Sequence, residues 1–133
     1  MTPSPISVLV VDDHDVVRDA VSDLMKATAG LTLWGTAISG VDALAQLERT
    51  GPGGTNRLDG PVVIVTDLRM PGMDGLELVV EVGSRWPALP CLVFSAHQGH
   101  APHAAVAGAA GFIEKGDSAG LITAVFRVGA GMA

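Results

Sequence analysis

Apolar positions in this chain come in blocks, and the spacing inside each block changes from one to the next. Ile6 to Val11 is a nearly unbroken β-branched run, the pattern of a strand buried on both faces, and it stops abruptly at Asp12, Asp13, His14 and Asp15. Val16, Val17, Ala20, Val21, Leu24 and Met25 then repeat at helical spacing, and Gly30 ends that helix. Leu31 to Ile38 reads as a second strand. Ser39 is placed to cap a second helix carrying Val41, Leu44 and Leu47. A third strand, Val62 to Thr66, precedes Asp67 and the turn-forming Pro71-Gly72. A helix follows from Asp74 to Arg85, presenting Leu76, Val79, Val80 and Val82. Pro87 and Pro90 lead into a fourth strand, Cys91 to Phe94, ending at Ser95. Gly111 to Glu114 is a short fifth strand ending at Lys115, and Ser118 opens a last helix with Leu121, Ile122, Val125 and Val128.

Five strands alternating with helices predict an α/β fold: a doubly wound, five-stranded parallel sheet of flavodoxin-like order 2-1-3-4-5. The weakest block is His97 to Gly108, where Gly99, Pro102 and Gly108 crowd a short space. It predicts a short, mobile or irregular fourth helix, with Pro102 in its first turn. Gly51 to Gly60 reads as a flexible loop. It is not a phosphate cradle, since no Lys-Ser/Thr follows its glycines.

Composition narrows the classes. The 133 residues suit one domain, expected to span 1–133 with its core from about 6 to 130 and no output domain. A net charge of -6 and no basic run argue against direct contact with nucleic acid or an anionic membrane. No run of 18 apolar residues reads as a membrane span, and Met1 to Pro5 lack the positive start of a secretion signal. The single cysteine, Cys91, reads as a core residue in a reducing, cytoplasmic setting. Trp34 and Trp86 read as packing residues at element ends. His97, His100 and His103 read as surface histidines, because the intervening Gly and Pro spoil a shared face. His14 reads as a solvated polar residue at a helix start that could tune the neighbouring acids electrostatically.

Chemistry gathers at the strand ends. In an open parallel sheet ligands bind outside the carboxyl ends of the strands. Here those ends carry Asp12 and Asp13, Asp67, Ser95 and Lys115, each closing its own strand. Strands one and three are neighbours in the expected order, so three carboxylates meet in one crevice. Their repulsion calls for a cation, and hard oxygen ligands suit Mg²⁺, with Mn²⁺ as the variant. A carboxylate so placed beside an ammonium and a hydroxyl can attack a phosphoryl group. Asp67 is the expected nucleophile, with Lys115 and Ser95 meeting the phosphoryl oxygens.

Val10-Val11-Asp12-Asp13-His14, Asp67 through Gly75, Phe94-Ser95-Ala96 and Gly108 through Lys115 resemble the receiver domain of two-component response regulators, in particular the NarL/FixJ-type subgroup. The resemblance spans roughly residues 6 to 130. It implies the CheY-like form of the fold, with Asp67 as phosphoacceptor. Asp13 would be a direct Mg²⁺ ligand, Asp12 a ligand through water, and the backbone carbonyl of Arg69 a third protein oxygen. Ser95 and Phe112 would be switch residues and Lys115 the phosphate-binding lysine. Phe112 lacks a tyrosine hydroxyl, so any readout there rests on burial. Gly116 stands where many receivers carry proline, so a trans peptide is expected after Lys115. The implied partners are a histidine kinase and an output, typically a DNA-binding domain controlling transcription. The charge-poor last helix and the Ala101–Ala110 segment suggest a homodimer or output contact on the fourth-helix to fifth-helix face. Two other readings use the same residues. One is a Mg²⁺-dependent phosphohydrolase, although its haloacid-dehalogenase form wants Asp-x-Asp where this chain has an adjacent pair. The other is an interaction module indifferent to phosphorylation.

Overall fold

The five expected strands form one parallel sheet in the computed structural model, which describes residues 5–50, 60–96 and 98–131. In chain order the elements are β1 (Ile6–Val11), α1 (Asp15–Ala27), β2 (Leu31–Ala37), α2 (Gly40–Thr50), β3 (Val62–Thr66) and α3 (Gly75–Arg85). They continue with β4 (Cys91–Ser95), α4 (Ala101–Ala107), β5 (Gly111–Glu114) and α5 (Ser118–Gly129). The sheet order is β2-β1-β3-β4-β5, all pairs parallel, as the alternation predicts. The Gly51 loop lies outside the described residues but for Gly60, as do His97 and Met1 to Ser4.

The strands are apolar on both faces because helices cover both. On one side Leu9, Val11, Ile64 and Val93 pack with Leu44, Leu47, Leu78, Val82 and Ala104 of α2, α3 and α4. On the other Val8, Val10, Val63 and Leu92 pack with Val21, Met25, Leu121 and Val125 of α1 and α5. Alternate residues of each strand thus anchor opposite layers, as the two-residue period of a strand requires. Helical stripes in the sequence are wider than the buried faces. Val16, Val41 and Val80 are exposed, while Leu78 supplies the buried contact that Val80 was expected to make.

Local chemistry sets the helix starts. Ser39 Oγ accepts from the amide of Asp42 at 3.1 Å, as expected of a cap. At α3, Asp74 accepts from the Glu77 amide, and Glu77 reaches back to the Asp74 amide, a full capping box. The cap of α5 is Asp117, whose Oδ1 accepts from the Gly120 amide at 2.9 Å, one residue before the expected Ser118. A carboxylate at that position also meets the positive end of the helix, which a hydroxyl would not. Trp34 sits inside β2 rather than at its end. The β1–β2 register slips there, pairing Val8 with Leu33 and Leu9 with Gly35.

The fourth helix is short, as predicted: seven residues, entered through a 3₁₀ turn at Gln98–His100. Pro102 occupies its first turn and costs it no internal hydrogen bond. Gly108, at φ +104°, closes it in the left-handed conformation.

Gly75 is the tightest backbone contact below the site. A Cβ there would stand 2.1 Å from the carbonyl oxygen of Asp67 and 2.9 Å from Leu68 Cα, while the Gly75 amide donates to the Leu68 carbonyl at 2.8 Å. A side chain must therefore push α3 off the loop that carries Asp67. Gly75→Ala is expected to destabilise the domain by about 1–3 kcal/mol, the usual cost of overpacking. Urea unfolding would show it, with an unchanged midpoint refuting the close approach.

Candidate functional site

The strand ladders continue one residue past the strands and hold the acidic groups by their backbones. The Asp12 amide donates to the Ala37 carbonyl at 3.0 Å, and the Asp67 amide to Val11 at 2.8 Å. Because Val11 pairs with Thr66, Asp12 and Asp67 emerge side by side at the centre of the sheet edge. The Lys115 amide donates to the Ser95 carbonyl at 2.8 Å, bringing the fifth-strand lysine level with the end of β4.

Side chains complete the cluster. Lys115 Nζ lies 3.2 Å from Asp67 Oδ1 and 3.4 Å from Asp12 Oδ2. Asp67 Oδ1 also accepts from the Leu68 amide at 2.8 Å. Asp12 Oδ1 accepts from the His14 amide at 2.9 Å. Asp12 and Asp67 are buried, Asp13 is half-buried, and Ser95 is buried at the tip of β4. The imidazole of His14 is exposed, but its Nδ1 turns inward, 3.1 Å from Asp12 Oδ1, 3.1 Å from Asp13 Oδ1 and 3.7 Å from Asp67 Oδ2.

Burial pushes the Asp67 carboxyl above its usual range, and the nearby Asp12 charge pushes it further; Lys115 and the Leu68 amide pull it back. The residues fit a hard divalent cation. Ligand atoms of Asp12, Asp13, His14 and Asp67 lie within 4.8 Å of one another. An octahedron with bonds of about 2.1 Å spans about 4.2 Å across. Asp13 Oδ1 is buried without a hydrogen-bond partner among the described residues, which leaves its lone pairs for such an ion.

The structure therefore brings Asp12, Asp13, Asp67 and Lys115 together, with Ser95 at the adjacent strand end. Arg69 sits on the loop after Asp67, and its guanidinium turns to His100, Nη2 to Nε2 at 3.2 Å. Phe112 lies half-buried on β5, against the core on the α4 side of the sheet. Gly116 makes the turn after Lys115 at φ +100°. No cis peptide occurs among the described residues, so the Lys115–Gly116 bond is trans, as expected without a proline. His14 is exposed, as expected of a polar residue at a helix start, and its Nδ1 is near enough to the acids for the electrostatic tuning that its position suggests. That position is directly after two acids that close a strand. A cleft of about 690 Å³ opens beside the cluster, lined by Asp13, His14, Arg69, Asp74 and His100 among others.

Known proteins point the same way. A family model for the response regulator receiver domain matches residues 8–126. The chain is 36% identical over 130 residues to the DNA-binding transcriptional activator DevR/DosR of Mycobacterium tuberculosis, covering 95% of this chain and 55% of that protein. It is also 36% identical over 128 residues to the transcriptional regulatory protein FixJ of Azorhizobium caulinodans, covering 92% and 54%. The chain thus spans about half the length of these curated relatives. Among solved structures, the signal receiver domain of the putative response regulator NarL from Mycobacterium tuberculosis superposes with a TM-score of 0.82 at 29% identity, covering 97% of this chain and 99% of that one.

The raised Asp67 pKa makes a thermodynamic prediction. A carboxyl whose folded-state pKa exceeds its unfolded value destabilises the fold once ionised. That cost is absent below the ordinary value of 3.8 and grows as pH rises through the folded-state value. Asp67→Asn is therefore expected to raise the melting temperature in metal-free buffer at pH 7.5, by about 4 °C for each kcal/mol recovered. The gain should shrink towards zero as the pH approaches 4. Scanning calorimetry across that range checks it, and a gain that grows on acidification would reverse the sign.

Proposed function

The chain belongs to the response regulator receiver domain family, and on that premise we propose that it is a phosphorylation-driven switch whose acceptor is Asp67. The observation that carries the reading is the convergence of Asp12, Asp13, Asp67 and Lys115 from three strand ends, with Lys115 Nζ 3.2 Å from the acceptor carboxylate.

A phosphohistidine on a histidine kinase is the donor. An Asp67 carboxylate oxygen attacks phosphorus, the phosphorus–nitrogen bond breaks, and the kinase histidine leaves with the electron pair, giving an aspartyl phosphate. Burial makes the ionised carboxylate costly, which raises its readiness to share charge with an incoming electrophile. Lys115, already on both Asp67 and Asp12, moves to a phosphoryl oxygen, and Ser95 donates its hydroxyl to another. Asp12 and Asp13, with the carbonyl of Arg69, would hold a divalent cation, Mg²⁺ or Mn²⁺, whose charge would offset that of a phosphoryl group. The protein turns over no external substrate in this reading; it takes one phosphoryl group and holds it.

The new group carries a charge of about -1.5 to -2, by analogy with other phosphorylated residues. It draws Ser95 and Lys115 towards it and so pulls the ends of β4 and β5. Phe112 follows through burial. The α4–β5–α5 side, where Val106 is 91% exposed, passes the change to an output element or a second copy. A complete shift from 1:99 to 99:1 takes about 5.5 kcal/mol, so two new contacts produce a partial one. The output is transcription through a DNA-binding region outside this chain, and the setting is the cytoplasm. No helix among the described residues is long and apolar enough to cross a membrane.

The kinase has a place to dock. Val16, Ala20 and Leu24 of α1 form an open apolar groove with Phe94, Lys115 and Gly116, directly beside the acceptor.

Intact-mass spectrometry after incubation with acetyl phosphate and Mg²⁺ is expected to show one added phosphoryl group on the wild type and none on Asp67→Ala. Equal labelling of Asp67→Ala would sink the assignment. Val16→Asp is expected to slow transfer from a cognate kinase by about tenfold or more, the cost of a charge in an apolar contact of about 1.4 kcal/mol. It should leave acetyl phosphate labelling unchanged, and parallel loss of both reactions would remove the groove from the docking surface.

A further inference from the structure

We propose that His14 is a ligand to the divalent cation, and that its imidazole Nδ1 biases the site away from Mg²⁺ towards Mn²⁺ and the nitrogen-accepting transition metals. The proposal rests on the metal-dependent reading above and adds a donor of a different chemical kind to an all-oxygen set.

The geometry is that of a coordination edge. Cis ligands on an octahedral ion with bonds of about 2.1 Å are separated by about 3.0 Å. Nδ1 of His14 stands 3.1 Å from Asp12 Oδ1 and 3.1 Å from Asp13 Oδ1. Its 3.7 Å to Asp67 Oδ2 falls between such an edge and the diagonal. Nδ1 shares a hydrogen bond with Asp12 Oδ1 at 3.1 Å and lies at ion-pair distance from Asp13 Oδ1, contacts that a bound ion would replace.

The hydrogen bond of Nδ1 to Asp12 Oδ1 is the alternative account of this ring, and it predicts no imidazole on the metal. His14 stands at the cap position of α1 but makes no side-chain capping bond, so helix capping does not account for its inward turn. Most of its side chain is exposed, so packing does not fix the ring either. Its own amide on Asp12 Oδ1, at 2.9 Å, ties the backbone to the carboxylate and aims the ring over the cluster.

The consequence is selectivity. Carboxylate and carbonyl oxygens alone suit Mg²⁺, Ca²⁺ and Mn²⁺, whereas imidazole favours the later first-row metals, and affinities rise from Mn²⁺ through Co²⁺ and Ni²⁺. Mg²⁺ holds its water tightly and gains little from a nitrogen donor.

Pulsed electron paramagnetic resonance of the Mn²⁺-loaded protein, grown with natural-abundance or heavy-nitrogen histidine, reads the bond directly. The wild type is expected to show nitrogen modulation from a bound imidazole that changes with the label and vanishes in His14→Phe, which keeps a ring without its nitrogens. Calorimetric titration of the same proteins should show Mn²⁺ affinity falling by at least about tenfold in His14→Phe. Mg²⁺ affinity should move by less than about threefold. Asp13→Asn is expected to weaken both metals. Metal binding by the wild type with no imidazole modulation, or equal losses of Mn²⁺ and Mg²⁺ in His14→Phe, would overturn the His14 proposal alone. Wild-type protein that binds neither metal, or Asp13→Asn that binds both as the wild type does, would overturn the carboxylate site and this inference together.

Discussion

Three carboxylates are kept together here against their own repulsion, and everything else at the sheet edge depends on what keeps them there. The restraint comes from the backbone. Asp12 and Asp67 each donate an amide to the neighbouring strand one step beyond the end of their own, so neither can withdraw without breaking a buried ladder. Apolar packing on both faces supplies the free energy that the charges spend. Lys115 compensates part of the repulsion, but burial, and after it the Asp12 charge, leave the Asp67 pKa raised, and Asp13 Oδ1 is without a hydrogen-bond partner among the described residues. Such a site favours any ligand or modification that brings positive charge or consumes a carboxylate.

The same arrangement ties chemistry to shape. Lys115 and Ser95 leave the sheet from β5 and β4, away from the acidic pair on β1, and the Lys115 amide is bonded to the Ser95 carbonyl. A group that attracts one of them therefore moves both strand ends. Because β4 and β5 are buried by α4 on one face and α5 on the other, that displacement is felt in two layers at once.

Sequence legibility followed physical locality. The strands were readable because a parallel strand covered on both faces is apolar throughout, and β-branched runs of that length have few other uses. Asp12, Asp67, Ser95 and Lys115 were readable because each terminates such a run. Helix faces were less so. Val16, Val41 and Val80 satisfy helical spacing yet face outward, since rotation about the helix axis is set by tertiary contacts that spacing does not encode. The cap of α5 slipped by one residue because Asp117 and Ser118 are both good caps and only the turn at Gly116 chooses between them. Trp34 escaped because a slip in strand register leaves no mark in composition.

Arg69 and His100 meet 31 positions apart, side chain to side chain, outside the sheet. One belongs to the loop that follows Asp67 and the other to the turn that leads into α4. That bridge couples the two segments without passing through β4 or β5. Force applied at the Asp67 loop thus reaches α4 by two mechanical paths, one through hydrogen-bonded strands and one through a surface tether.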